Sequence, residues 1–158
     1  MNWGAFKTAC PEIADRARNR FEQDQLVLLG TIRRDGSARI SPCEVDFAAD
    51  RLFLGMMWQS RKALDLLRDP RLLVHSLPGG RMNPGGDIKL YGNVVDERDP
   101  DLREAFGRAI EARIDWRPDE PYHLFSLDME WASFIVFGKG GHALIWHPDR
   151  GIRRQAVH

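Results

Sequence analysis

The chain has 158 residues, 43% apolar and 29% charged, the make-up of one ordinary globular domain. Its 23 basic and 23 acidic side chains give a formal net charge of +0, which argues against nucleic acid or an anionic membrane as a partner and leaves room only for a local basic pocket. Cys10 and Cys43 have no CxxC spacing, so neither a zinc site nor a disulfide framework is expected, and reduced thiols in the cytoplasm fit best. Met1 to Lys7 lacks a basic segment followed by an apolar one, and no run approaches the ~20 apolar residues of a membrane span. Walker, GxGxxG and metalloprotease patterns are missing.

Cys10 to Gln23 is predicted as one helix, with Thr8 as a cap, Pro11 in the first turn, and Ile13, Ala14, Ala17 and Phe21 on one face. Leu26 to Ile32 is a nearly all-apolar strand, expected to be buried on both faces. Asp35-Gly36 marks a hairpin turn, and Ala38 to Phe47 is the return strand, where Pro42 calls for an edge or a bulge. After a turn at Ala49-Asp50, Arg51 to Met57 forms a third strand. Ser60 is an N-cap candidate for a helix to about Arg68 that buries Ala63, Leu64 and Leu67 and stops before Pro70. Leu72 to Leu77 is a fourth strand and the Gly- and Pro-rich Pro78 to Gly86 a loop.

Asp87 to Asp96 is a fifth strand, with a bulge or close contact at Gly92. Asp99-Pro100 opens a helix with a stripe of Leu102, Ala105, Phe106, Ala109 and Ile110. Trp116 to Pro121 is a polar connection, Tyr122 to Met129 reads equally as strand or short helix, and Glu130 to Phe137 is a strand. His142 to His147 is the last strand, and residues 149–158 form a polar tail that is either loose or docked on a partner. Together these describe one domain over 1–158, mainly β with flanking helices. The closely spaced turns favour a small antiparallel barrel of about six or seven strands.

Two groups of residues stand out chemically. Ser60, Arg61 and Lys62 put a hydroxyl, a guanidinium and an ammonium on the first turn of a helix, where free N–H groups and the dipole favour an anion. Arg39 and Ser41 share one face of a strand, because side chains two apart point the same way. Both groups suit a phosphate-bearing cofactor. Each also has a plainer reading, Ser60 as an N-cap and Arg39 as a surface strand residue. His75 reads as a structural histidine on a core strand, while His142 and His147 flank the last strand without a second ligand motif. Trp131 and Trp146 read as core or interface aromatics. Cys43 follows Pro42 close to the candidate site, and its reactivity depends on a pKa that sequence does not give.

The hairpin Thr31 to Pro42, the strand Arg51 to Leu54 and the helix Ser60 to Pro70 occur in the order and spacing of the pyridoxamine 5'-phosphate oxidase-like superfamily, the flavin-binding split barrels, which the chain resembles. The resemblance implies a split β-barrel, a homodimer, and flavin mononucleotide (FMN) held at the dimer interface. By the same resemblance, Arg39 and Ser41 lie near the phosphate or ring edge, and Ser60, Arg61 and Lys62 contact the phosphate. Met57 and Trp58 lie along the flavin, and Trp146 with the following tail reaches the partner's site. Two positions depart from the pattern: Asp65 stands where the family often has Asn, and Trp58 where a smaller residue is frequent. Ile152 to Gln155 does not match the C-terminal substrate motif of the true pyridoxamine phosphate oxidases. The expected activity is flavin-dependent oxidation or reduction of a small organic molecule. The alternatives are a deazaflavin-dependent reductase using Arg33, Arg34, Arg81 and the tail arginines, or a non-enzymatic flavin- or haem-binding module.

Overall fold

The computed structural model describes residues 1–79 and 85–157. It opens with α1 (Trp3–Ala9), which is not predicted, followed by α2 (Pro11–Asp24), which is the predicted helix. The break is Cys10, at φ −143 and ψ 66. Pro11 has no N–H to give and pushes the residue before it out of helical geometry. Asn2 caps α1 by accepting from the Ala5 N–H at 2.9 Å. Thr8 is no cap; it lies inside α1 and donates to the Gly4 carbonyl at 3.1 Å. The predicted stripe of Ile13, Ala14, Ala17 and Phe21 is fully buried.

Strand β1 (Val27–Ile32) alternates buried and half-buried residues, so one face lies in the core rather than both. The Asp35-Gly36 turn leads into β2 (Ala38–Cys43), antiparallel to β1 and at the end of the sheet. At that edge Pro42 leaves no ladder bond unmade. The predicted return strand breaks at Glu44-Val45, and β3 (Asp46–Ala48) begins a second hairpin. Ala49 and Asp50, at φ 46 and 56, turn the chain into β4 (Arg51–Met57). Next come α3 (Arg61–Arg68), β5 (Arg71–Ser76), β6 (Asp87–Asp96), α4 (Pro100–Ile114), β7 (Tyr122–Val136), β8 (His142–His147) and β9 (Gly151–Ala156). The predicted loop at Pro78 to Gly86 falls partly on residues 80–84, outside the described residues.

Three expectations change here. Helix α3 buries Ala63, Asp65 and Leu66, while Leu67 is exposed and Leu64 half-buried. The ambiguous Tyr122 to Met129 is the first half of the 15-residue β7. Within the tail expected to be loose or docked, Gly151–Ala156 pairs with β8 as a strand.

The sheet has nine strands where about six or seven are predicted, in the order β2-β1-β5-β6-β7-β4-β3, with β8 on β7 and β9 on β8. It curls without closing, as a split barrel does. Strand β7 pairs with β6 along most of its length, with β4 through its first residues and with β8 through its last. The β6–β7 register shifts between Tyr91 and Gly92, the predicted irregularity. A Cβ on Gly92 would lie 2.0 Å from the Asp128 carbonyl oxygen, so only glycine fits there.

The main core lies inside the curl, where α1 and α2 pack on Leu29, Leu54, Val74, Leu90 and Ala132. A second cluster of Phe53, Phe106, Ile110 and Leu124 seats α4 on the other face of β4 and β7. Gly55 makes room for it, since a Cβ there would come within 2.6 Å of the Phe106 ring. Of the predicted α4 stripe, Phe106 and Ile110 are buried, with Gly107 beside them.

Candidate functional site

The split opens between β2 and β4. Few bonds cross it: Cys43 Sγ donates weakly to the Gly55 carbonyl at 3.6 Å, and Lys62 Nζ donates to the Pro42 carbonyl at 2.6 Å. A mostly apolar groove of about 660 Å³ runs along this opening. Pro42, Cys43 and Glu44 form one wall and Gly55 to Trp58 the floor. Ser60 and Lys62 close the α3 end; Phe106, Ile110 and Trp116 line the α4 side.

The turn from β4 into α3 is built unusually. Gln59 sits at φ 57, in the left-handed region, and the Ser60 N–H donates back to the Met57 carbonyl at 3.1 Å. The Gln59 N–H donates to His123 Nε2 at 3.2 Å, which places the histidine's own proton on Nδ1. His123 is buried on β7 and stacks on Trp58, centroids 4.5 Å apart and planes 12° apart. Trp58 remains 53% exposed and Met57 80% exposed, so the strand end presents two large apolar side chains to the opening.

Ser60 holds the N-cap position of α3, with φ −63 and ψ 146, yet its hydroxyl makes no capping bond. Its Oγ is buried and has no partner among the described residues. The caps of α1 and α4 behave otherwise, because Asn2 and Asp99 each accept from a backbone N–H at 2.9 Å. A buried, unsatisfied hydroxyl at a helix N-terminus costs stability unless something bonds to it. Beside it Arg61 is exposed.

Arg39 is less free than its sequence position implies. It shares a face of β2 with Ser41, as predicted, but its Nε donates to Asp65 Oδ2 at 2.6 Å. Asp65 is 4% exposed and also accepts from the Thr31 hydroxyl at 3.1 Å and from Arg68. Burial pushes this carboxyl's pKa up, but the bonds from Arg39 and Thr31 and the Arg39 charge together hold it below its ordinary value. Arg68 in turn donates to the Ile32 carbonyl, binding the C-terminal end of α3 to the β1–β2 hairpin. The negative charge that departs from the family pattern therefore has a structural job.

The structure thus gathers Met57, Trp58, Ser60 and Lys62 on one groove, while the exposed Arg61 does not line it and Arg39 and Ser41 stand on β2, also outside its lining. Trp146 does not join them. It is 1% exposed and packs edge-on against Phe6 at 4.9 Å, so the chain's own core takes the indole and leaves it no face for a cofactor. Cys43 lines the groove, but burial pushes its thiol up to about 11 against the pull of Lys62, which makes it a poor nucleophile. His75 Nδ1 lies 2.6 Å from the Ser76 carbonyl, and His147 stacks on Trp131. His142 Nε2 is buried without a partner among the described residues. Among the described residues no cluster of three or more His, Cys, Asp or Glu suits a metal, and no helix is long and apolar enough to cross a membrane. Sequence reasoning missed His123 and Thr31, whose roles arise from pairings across the fold.

A family model described as pyridoxamine 5'-phosphate oxidase matches residues 13–136. The chain belongs to this superfamily. Solved structures share the fold at low identity. One is a pyridoxamine 5'-phosphate oxidase-related, FMN-binding protein from Nostoc punctiforme, with TM-score 0.66 and 15% identity over 91% of this chain and 94% of that one. Another, from Clostridium acetobutylicum, is related to general stress protein 26 of the pyridoxinephosphate oxidase family, with TM-score 0.66 and 16% identity over 85% of this chain and 94% of that one. A heme binding protein from Mycobacterium smegmatis aligns with TM-score 0.61 and 13% identity over 89% of this chain but 57% of its own length. No curated protein matches.

Proposed function

We propose that the protein is an FMN-binding oxidoreductase that acts on a small organic molecule as a homodimer. The observation that carries this is the buried, partnerless Ser60 hydroxyl at the N-terminus of α3, flanked by Arg61 and Lys62. A phosphate there accepts from the hydroxyl, from free backbone N–H groups and from two cations at once. The ring system then runs along Met57 and Trp58 in the split. Bound flavin supplies the hydride chemistry, and this chain supplies binding, orientation and electrostatics. The FMN-binding description of the Nostoc relative supports the choice of cofactor. The deazaflavin alternative draws on Arg33, Arg34, Arg81 and the tail arginines; Arg33 and Arg34 lie on the hairpin bound to the other end of α3, and Arg81 lies outside the described residues.

The dimer reading is supported by a row of side chains across the sheet, on the face opposite the core. Ile40, Leu73, Tyr91 and Trp131 follow one another in register through Gly30, and His147 stacks beyond them. Ile40 is 63% exposed, and the Tyr91 and Trp131 rings lie 3.6 Å apart. A flat aromatic and aliphatic surface of this kind suits a second copy.

An absorption spectrum of the purified protein, then titration with FMN and with a deazaflavin, tests the cofactor. Saturable FMN binding that disappears in Arg61→Ala/Lys62→Ala supports the reading. Unchanged affinity in that double variant would sink the phosphate assignment. Binding of deazaflavin alone would replace FMN by the alternative, and binding of neither would leave a module without flavin. A monomer by light scattering would end the dimer reading.

A further inference from the structure

The groove is not uniform in charge. Its α3 end is basic, but its α4 side is not. Glu44, Asp46 and Asp119 line the groove, and Lys62 is the single basic residue among the described residues that line it. Arg113 answers two of these carboxylates: it donates to both oxygens of Asp46, at 2.8 and 3.1 Å, and to Glu44 at 2.8 Å. One guanidinium shared by two carboxylates leaves a net negative charge. Asp119 is exposed and adds another. Once a phosphate has neutralised Lys62, the remaining field in the groove is negative.

The same side is aromatic. Trp116 is 52% exposed at the groove, and Trp58, Phe106 and Tyr122 line it as well. Half-exposed indoles on a mostly apolar groove suit a flat ring, and aromatic faces together with fixed carboxylates favour a flat ring that is positively charged.

We propose that the α4 side of the groove takes a planar, cationic heteroaromatic molecule, drawn by Glu44 and Asp119 and seated against Trp116. This rests on the flavin reading in calling the molecule a substrate; its binding does not. The cation lies at the acidic side of the split while the cofactor's phosphate lies at the basic end, so the two ligands are sorted by charge along one groove.

The test uses three probes of one size and different charge: 1-methylnicotinamide (cationic), nicotinamide (neutral) and nicotinate (anionic). Each is titrated into the intact chain, with and without FMN, and followed by tryptophan fluorescence and calorimetry. The expected order is cation, neutral, anion, with about a tenfold gap between the first and last at low salt. The gap should close in 1 M salt, where the screening length falls to about 3 Å. Asp119→Asn, an exposed site that leaves folding alone, should narrow the gap several-fold, and Trp116→Ala should weaken all three probes together. Equal or tighter binding of nicotinate, or no saturable binding of any probe, overturns the proposal. FMN absorbance is read in parallel. Cation binding without FMN binding defeats the flavin reading alone, and FMN binding with an anion preference defeats this proposal alone.

Discussion

On the α3 side of the split, three elements meet on one carboxylate, with Asp65 accepting from Thr31 of β1, Arg39 of β2 and Arg68 of its own helix. On the α4 side, Phe53, Phe106, Ile110 and Leu124 meet as apolar surface. The first side is held by directional, charge-assisted bonds, and the second joins this packing to one ion pair at its far end, Arg113 of α4 to Asp46. The apolar contacts of Phe106 and Ile110 carry no titrating group. The ionic side fixes where Arg39 points and responds to pH.

The largest expected effect breaks the packed side. Phe106→Ala removes a ring that meets Phe53 at 5.9 Å and covers Gly55. It should cost about 3–5 kcal/mol, lowering the melting temperature by roughly 10 °C. A loss below about 1 kcal/mol would mean that α4 collapses inward to fill the space.

The next effect breaks the ionic side. Asp65→Ala leaves Arg39 and the buried Thr31 without their acceptor and should cost about 1–3 kcal/mol in urea unfolding. Asp65→Asn keeps an acceptor for Thr31, costs less, and releases the Arg39 charge. If Arg39 lies within reach of the phosphate, FMN binds this variant more tightly than the parent; equal affinity would show that Arg39 serves only Asp65.

Acid sharpens the contrast. The folded pKa of Asp65 is depressed. Its stabilisation is therefore complete above the unfolded carboxylate value of about 3.9 and fades as pH falls through the lower folded value. The stability gap between parent and Asp65→Asn should shrink on acidification through that window, while the gap between parent and Phe106→Ala stays level. A gap that widens in acid would contradict the sign of the shift.

The smallest effect is the most diagnostic. Ser60→Ala should leave the stability of the free protein within a few tenths of a kcal/mol, against about 1 kcal/mol for a working cap such as Asp99→Ala. Its FMN affinity should nonetheless fall several-fold. A stability loss as large as that of Asp99→Ala would show that the hydroxyl caps α3 in solution.

Much of this architecture is written locally. Strands β4, β6 and β8 and the start of α4 follow from apolar runs bounded by turn residues, Asp50 before β4 and Asp99-Pro100 before α4. Strand β9 escapes that logic because all six of its residues are exposed, so it has no apolar alternation to read. The first half of β7 escapes it for the opposite reason: neighbours cover both faces, which erases the alternation. At the site, Ser60, Arg61 and Lys62 are contiguous and were legible. The tie between Arg39 and Asp65 was not, although both residues stand out, because nothing local says that α3 packs back on β1 within reach of Arg39. His123 gave no signal at all; its place beneath Trp58 depends on the pairing of Met56 with His123 between distant strands.

That pairing also sets an order of events in time. Strand β4 has β3 on one side, but its other edge belongs to β7, where Phe53 faces Ser126. At synthesis rates on the order of 10 residues per second, a growing chain carries that open edge for several seconds before its partner is made. The edge is Leu52 to Met57, apolar and uncharged, the composition that pairs readily with a like strand on another chain. Such non-local closure also places folding in the range of milliseconds to seconds rather than microseconds. The strand that will floor the groove is therefore an open apolar edge of the nascent chain until β7 is made.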